Sequence, residues 1–442
     1  MTELPESWEA STVDDVATVQ LGRQRSPKNH TGPHMRPYLR SANVTWRGID
    51  VVDVKEMNFE PSEATTFELN EGDILLNEAS GSPGEVGKPA IWRNEIPGAC
   101  FQNTLLRVRS AEMDGGYLYW YFYNAAVTGR FGEAGRGVNI RHLGKKGLTS
   151  FPIPVPPHPE QRRIVAAIEE HLSRLDAATE QLGAARSRQP WLNRAATDRL
   201  LESVNAPSIT IGEALKILSG RAFPSGAYCD SGVLLVRPGN LDPSGSLAWS
   251  SKATRHLPKR FAEEHPKVLL TGKRLLMNLT AQSLADEFLG RVCLSGEHDR
   301  FLLNQRIADL SSTAYLPDFL YFVFRSSRFR RFVDSLNAGS LIQHISTKQL
   351  AQFELPKVSL DLQRTIVSEL RATHETSAAG LRLAEGALDR AEPLRRSILS
   401  AAFSGQLVPQ DPSDQPASVL LERIAVERAV QKPSRSKKKA AS

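Results

Sequence analysis

The feature that most constrains this chain is an internal repeat: short blocks near its start return in the same order about 200 residues later, and a repeat of that length decides the architecture before any local reading does. The LGR ending at Arg23 returns as the SGR ending at Arg221, and YLRSAN ending at Asn43 returns as LLVRPGN ending at Asn240, at offsets of 198 and 197. EGDILLN around Gly72 answers TGKRLLMN around Gly272, and QNTLLRV with Asn103 answers NQRIADL with Asn304, at offsets of 200 and 201. At the end of each copy, NIRHLGKKGLTSFPIPVPPHPEQRRIV matches LIQHISTKQLAQFELPKVSLDLQRTIV at an offset of 202, which aligns His142 with His344, Pro154 with Pro356 and Gln161 with Gln363. Small loop insertions account for the drift. In this alignment Lys273 and Arg274 replace Asp73 and Ile74, and Leu362 with Gln363 replaces the Glu160–Gln161 pair.

Each copy has two parts. Its first ~150 residues mix short apolar runs (YLRSANV, GDILL, LLRVR; VLLVRPG, RLLMNL, GRVCL) with Gly and Pro turns, then an aromatic helical stretch, YLYWYFYNAAV or FLYFVFRSSRF. That pattern reads as an irregular α+β domain. The second part reads as a long helix. Val165, Ile168, Leu172, Leu175, Thr179 and Leu182 follow the 3,4 spacing of a coiled-coil seam, and Val367, Leu370, His374, Ser377, Leu381, Ala384 and Leu388 occupy the same seam in the second copy. A single apolar stripe is more often an ordinary core helix; two in register, separated by a whole domain, point to packing on each other. Pro190 and Pro393 fall at equivalent places, where each helix is expected to kink or restart. The first helix is therefore expected to run from Glu160 to about Gln189.

Composition narrows the class. A chain of 442 residues should hold two or three domains. The longest apolar run, near Tyr117 to Tyr123, is too short to cross a bilayer, and MTELPESWEA lacks the basic start and apolar stretch of a signal peptide, so the chain is expected in the cytoplasm. Cys100, Cys229 and Cys293 are far apart with no CxxC, which reads as buried free thiols rather than a disulfide framework or zinc site. The net charge of +6 is matched by the six basic residues from Arg428 onward, a terminal segment expected to be disordered, so regional charge says more. Residues 204–350 carry 18 Lys and Arg against 12 Asp and Glu, whereas residues 1–150 carry 16 against 19. Within the latter, residues 16–49 hold six basic residues and no carboxylate, enough for a positive face.

GDILLNEASGSPGEVGKPAIW, FPIPVPPHPEQRRIV entering the first long helix, and RRSILSAAFSGQLVPQDPSDQPA near the C-terminus, together with the duplicated plan, resemble the specificity (S) subunit of type I restriction-modification systems, the HsdS family. The resemblance covers nearly the whole chain. It implies two tandem α+β target recognition domains, each followed by a long helix, with the two helices pairing as an antiparallel coiled coil. The corresponding division is a first recognition domain over 1–157, a spacer helix over 158–203, a second recognition domain over 204–358, a second spacer helix with its C-terminal region over 359–408, and a C-terminal segment with a basic tail over 409–442. It further implies double-stranded DNA with two half-sites as ligand, two methyltransferase (M) subunits and two restriction (R) subunits as partners, and no membrane. No cofactor would be bound by this chain; S-adenosylmethionine, ATP and magnesium would sit on the partner subunits. An alternative is an orphan DNA-binding adaptor of a phage-defence system that lacks the modification enzyme.

Catalytic motifs are not found in the sequence. GSPGEVGKP has Ser82 where a phosphate loop needs its first Gly, and Pro89 after Lys88. There is no NPPY-like or DPPY-like tetrapeptide, no HExxH and no GxSxG, and Asp318 after Pro317 reads as a helix N-cap. The expectation is therefore a recognition subunit without catalytic or metal-binding residues. Arg and Lys can bond guanine, and Asn and Gln adenine, from loops and helix starts. The candidates in the first copy are Arg23, Arg25, Lys28, Arg40, Arg136, Asn139, Arg141 and Lys145; in the second they are Arg221, Arg237, Lys252, Arg255, Gln282, Gln343 and Lys348. A phosphate contact or a solvated charge is the commoner role for any one of them. Asn43 and Asn240 recur and rank first as turn residues, since domains reading different sequences should agree at structural positions and differ at reading ones. His142 and His344 recur too and read as structural histidines, and the basic run Arg325, Arg328, Arg330 and Arg331 could hold phosphates or be a solvated face.

Overall fold

The structure is a computed structural model of the full chain and describes residues 4–80, 85–134, 141–250, 253–282, 286–336 and 343–431. Two compact units divide it: residues 1–180 with 387–442, and residues 181–386. Both cuts fall inside long helices, so each unit holds one recognition copy and one part of each helix.

The two copies share the topology of their main sheet. In the first unit an antiparallel sheet orders Thr18–Leu21, Leu105–Arg109, Ile74–Asn77 and Pro89–Ile91; in the second the same order is Lys216–Ser219, Ile307–Ser311, Leu275–Asn278 and Val292–Leu294. A smaller sheet sits beside each, three-stranded in the first unit and four-stranded in the second, and each contains one parallel pair: Tyr38 opposite Cys100, and Leu234 opposite Phe301. The turn that leaves the first strand explains the repeated glycine. A Cβ at Gly22 would lie 2.2 Å from the Gln102 carbonyl oxygen, and one at Gly220 would lie 2.2 Å from that of Asn304, so only glycine admits this backbone approach. Asn43 and Asn240 are buried turn residues: each side-chain oxygen accepts from a backbone N–H, that of Arg40 at 3.1 Å and that of Arg237 at 2.9 Å.

The strand register corrects the alignment by one residue. Ile74 pairs with Val108 as Leu275 pairs with Leu310, so Arg274, not Lys273, stands at the place of Asp73. A one-residue loop difference ahead of the strand makes the offset there 201.

An aromatic helix covers each main sheet. In the first unit it spans Gly115–Val127, with the Asp114 side chain accepting from Tyr117 N at 3.0 Å. In the second it is Pro317–Val323, with Leu316 as N-cap. Asp318 is thus not the cap: it lies inside the first turn, where a carboxylate opposes the exposed N–H groups, and it pairs with Lys273 at 2.8 Å and with Arg371. Tyr117 donates to the Pro154 carbonyl at 2.8 Å, and Tyr315 repeats the bond to Pro356 at 3.0 Å.

The long helices span His158–Glu202 and Leu360–Phe403, and neither restarts at its proline. Proline removes one intrahelical bond, but the carbonyls that lose it belong to the exposed residues Arg186 and Asp389, where water can replace the missing donor. Ile164, Ile168 and Leu172 are buried in the first unit in one cluster with Leu399 and Phe403, and the pairing is completed by the Asp176–Arg395 ion pair. In the second unit Ile366, Val367 and Leu370 are buried, and His374 meets Thr197 and Asn193 at 3.3 Å. Leu175 in the first unit, and Leu182, Ser377 and Leu381 in the second, are only partly buried.

A third helix, Ala417–Gln431, was not foreseen in the C-terminal segment. Its Ala417, Leu420 and Ile424 join the core that contains Trp8. Among the described residues no helix is long and apolar enough to cross a membrane.

Candidate nucleic-acid interface

Gln161 and Gln363 show how each helix is fixed to its copy. Both are fully buried; Gln161 accepts from Asp114 N at 2.9 Å and donates to Pro156 O at 2.9 Å, while Gln363 accepts from Leu316 N at 2.8 Å and donates to Ala314 O at 2.8 Å. One buried amide therefore locks the start of the aromatic helix to the start of the long helix in both units. Glu160, by contrast, accepts from Trp8 Nε1 at 3.0 Å and from Gln410 at 2.6 Å, and burial raises its carboxyl above the usual value. Leu362 in the second copy is exposed, so that tie to both chain ends belongs to the first unit alone.

Above this frame, a two-residue strand pair in each copy gathers the surface loops. Ala79–Ser80 pairs with Arg141–His142, and Thr280–Ala281 pairs with Gln343–His344. A short helix follows each, Gly144–Thr149 and Thr347–Leu350, presenting the exposed Lys145 and Lys348. In the second copy this places Gln282, Gln343 and Lys348 at one end of the sheet. His142 is surface-exposed rather than a buried structural residue, with Nδ1 at 3.1 Å from Glu78, and His344 is exposed as well.

The remaining candidates separate by their partners. Arg25 and Lys28 are exposed on the loop after Gly22, as is Arg221 after Gly220. Arg23 is turned inward: it pairs with Glu63 at 2.7 Å and lies 5.0 Å over the Phe59 ring. Arg40 is engaged with Asp53. Arg237 donates to Ala253 O at 3.0 Å over the Tyr228 ring, and Arg255 donates to Thr254 O at 2.7 Å. Arg136, Asn139 and Lys252 lie outside the described residues, as does the side chain of Arg141. Of the basic run, Arg328 pairs with Glu354 at 3.2 Å, Arg325 and Arg330 donate to backbone carbonyls, and Arg331 is exposed.

Cys100 and Cys293 are buried free thiols pushed up to about 12 by burial, while Cys229 is only half-buried. Among the described residues no group of three His, Cys, Asp or Glu could hold a metal ion.

Each copy of the duplicated α+β frame is thus fixed to a long helix by a buried glutamine and carries an exposed lysine, Lys145 or Lys348, beside its two-residue strand pair. Residues 5–184 match the type I restriction modification DNA specificity domain, and nearly the whole chain is similar to type I restriction enzyme specificity subunits. It is 24% identical to the type I restriction enzyme EcoKI specificity subunit of Escherichia coli, over 98% of this chain and 99% of that protein. It is 21% identical to the MjaVIII specificity subunit of Methanocaldococcus jannaschii, over 91% of this chain and 94% of that one. Its fold matches the crystal structure of the HsdS subunit from Thermoanaerobacter tengcongensis with a TM-score of 0.66 at 18% identity, over 91% of this chain and 98% of that chain.

Proposed function

We propose that this chain reads a bipartite DNA target, one half-site per copy, with recognition domains over 1–157 and 204–358, and that catalysis belongs to partners. The carrying observation is that the copies agree at frame positions (Gly22 with Gly220, Asn43 with Asn240, Gln161 with Gln363) and differ at several of their exposed polar loop residues. Arg25, which among the described residues bonds only His30 at the surface, Lys28 and Gln282 have no like residue at the matching place of the other copy, whereas Arg221 and Lys348 repeat Arg23 and Lys146. Exposed as they are, with Lys145, most would touch phosphate and fewer would read bases. Arg23, Arg40 and Arg237 serve the frame in this reading.

Two methyltransferase subunits would dock on the long helices, where Trp191 and Leu383 of the second unit are exposed, and two restriction subunits would complete the nuclease. S-adenosylmethionine, ATP and magnesium would be bound by those partners. Exchange of residues 1–150 for those of another such subunit tests the modular reading: with a methyltransferase present, the methylated site should change in one half only. A folded chimera that loses both half-sites would refute it, and a chain that supports no methylation with any partner would favour the orphan adaptor.

A further inference from the structure

A cavity of about 140 Å³ in the second unit is lined by Arg194, Arg291, Arg325 and Arg330, with Asp286 and Glu287. Backbone carbonyls aim three of the four guanidiniums. Arg291 donates to Asp286 O at 2.7 Å, Arg325 donates through both terminal nitrogens to Pro243 O at 3.2 Å, and Arg330 donates to Leu289 O at 3.0 Å while pairing with Asp334 at 2.9 Å. A carbonyl orients a guanidinium without cancelling its charge. Arg194, from the first long helix, grips Glu287 with two bonds of 2.9 and 2.6 Å. Arg194 holds the Glu287 carboxyl below the usual value against burial, and Arg330 and Arg325 add to the effect.

Glu287 occupies this place under strain. Its φ of 52° is in the left-handed region, which disfavours a non-glycine residue. Its side chain is still 46% exposed, so the pair can be reached from solvent.

The cluster is not inherited from the shared frame. Gly87 and Gly290 are equivalent, each donating at 2.9 Å to the carbonyl of Asn77 or Asn278, and a Cβ on either would meet Phe131 or Phe329. Counted from those anchors, the first copy has Gly84, Lys88, Val127 and Gly132 where the second has Glu287, Arg291, Arg325 and Arg330. Three of these four positions are uncharged in the first copy and only the Lys88–Arg291 cation is common, so the charged cluster belongs to the second copy.

We propose that this cavity is an oxyanion site for one phosphodiester group of the DNA backbone, and that Glu287 is its built-in stand-in, released from Arg194 when the phosphate arrives. This rests on the DNA-binding reading above. Guanidinium forks suit a phosphate as they suit a carboxylate, and a carboxylate already seated keeps the cavity from collecting other anions.

The test uses the full-length chain and a mixed-sequence duplex, with affinity followed against salt. Glu287→Gln removes the competing charge, so binding should tighten by about three- to tenfold at low salt and log K should fall more steeply by about 0.9 per decade of salt, the value for one added phosphate contact. Arg194→Gln should do the opposite, weakening binding and flattening the slope. An ion pair with only a structural role would move both variants in the same direction, and that result overturns the proposal. A second arm measures thermal stabilisation by inorganic phosphate without DNA, which Glu287→Gln should gain and Glu287→Gln combined with Arg325→Gln should lose. Phosphate stabilisation without any change in the DNA salt slope would assign the cavity to a free anion and overturn the phosphodiester. If no form of the chain binds any duplex, the DNA reading itself fails, while the phosphate arm still reports on the cavity.

Discussion

Arg274 occupies in the second copy the place that Asp73 occupies in the first, and each pairs with the opposite charge on the neighbouring strand. Asp73, 1% exposed, is held by Arg109 with Arg107 at 4.0 Å; Arg274 donates Nε at 3.0 Å to Asp309, also 1% exposed. Each copy thus pairs a buried carboxylate with an arginine across these strands, from opposite sides, because a buried carboxylate without a partner is strongly unfavourable.

The first prediction follows from that pair. Asp309→Ala should leave Arg274 without its carboxylate and destabilise the second unit by on the order of 2–4 kcal/mol, somewhat below the fully buried range because the guanidinium is partly solvated. Arg274→Leu combined with Asp309→Leu should recover most of the loss. Urea denaturation of the single and double variants measures both, and a double variant as unstable as the single would show that charge is not the issue.

A second prediction concerns glycine. Gly22→Ala and Gly220→Ala each drive a methyl into a backbone carbonyl and should cost more than ~2 kcal/mol or prevent folding. Gly183→Ala and Gly380→Ala sit inside the long helices with nothing within 4 Å of the new Cβ, and should stabilise by about 0.5–1 kcal/mol. Thermal melting separates the two sets, and equal effects would mean that helix propensity alone governs all four sites.

These contrasts show what was legible in the sequence. The duplicated frame could be read because Gly22, Asn43 and Gln161 contact backbone, which tolerates no other residue type, so their counterparts recur. The helix seam could be read from its period. The partners of Arg23 and Arg194 could not, since Glu63 and Glu287 lie 40 and 93 residues away and ion pairs leave no periodic trace. The halt expected at Pro190 failed because a solvent-facing carbonyl can lose its donor cheaply. Helix Ala417–Gln431 was hidden beside a charged tail whose composition masked its short apolar face.

A third prediction concerns pH. Burial, with Arg325 nearby, holds His374 below its usual 6.5 in the second unit. The folded state therefore prefers the neutral ring while the unfolded chain binds the proton more readily. This contribution to stability is complete above pH 6.5 and is lost as pH falls from there toward the lower folded pKa. His374→Leu should fill the seam and flatten that part of the profile. Melting temperatures from pH 8 to pH 5 check this, and an unchanged slope in the variant would place the titrating group elsewhere.

The fourth prediction concerns Gln161 and Gln363. Replacing either with Leu keeps the volume but leaves a buried backbone N–H, that of Asp114 or Leu316, without an acceptor, at a cost of about 1–3 kcal/mol. Gln363→Leu should act on the second unit as Gln161→Leu acts on the first. Hydrogen exchange at Asp114 and Leu316 reads the two sites separately, and protection that survives the substitution would show that another acceptor takes over.

The last prediction concerns spacing, and here the continuity of the helix changes the expectation. The first long helix runs for 45 residues rather than ending near Gln189, about 68 Å at 1.5 Å per residue, so the segment around Ala184 is internal to one continuous helix. Four residues inserted there lengthen it by ~6 Å and turn it by about 400°, only ~40° past a full turn, which nearly restores the apolar face to its seam. If the helix sets the distance between half-sites, 6 Å at 3.4 Å per base pair corresponds to one or two base pairs. The insertion variant should therefore methylate, with its partner subunit, a site whose unread gap is longer by one or two base pairs while both half-sites stay the same. Genome-wide methylation profiling reads this directly. A folded variant that keeps the original gap would show that the bonds at the helix ends, through Gln161 and the contacts of His374, fix the spacing independently of helix length.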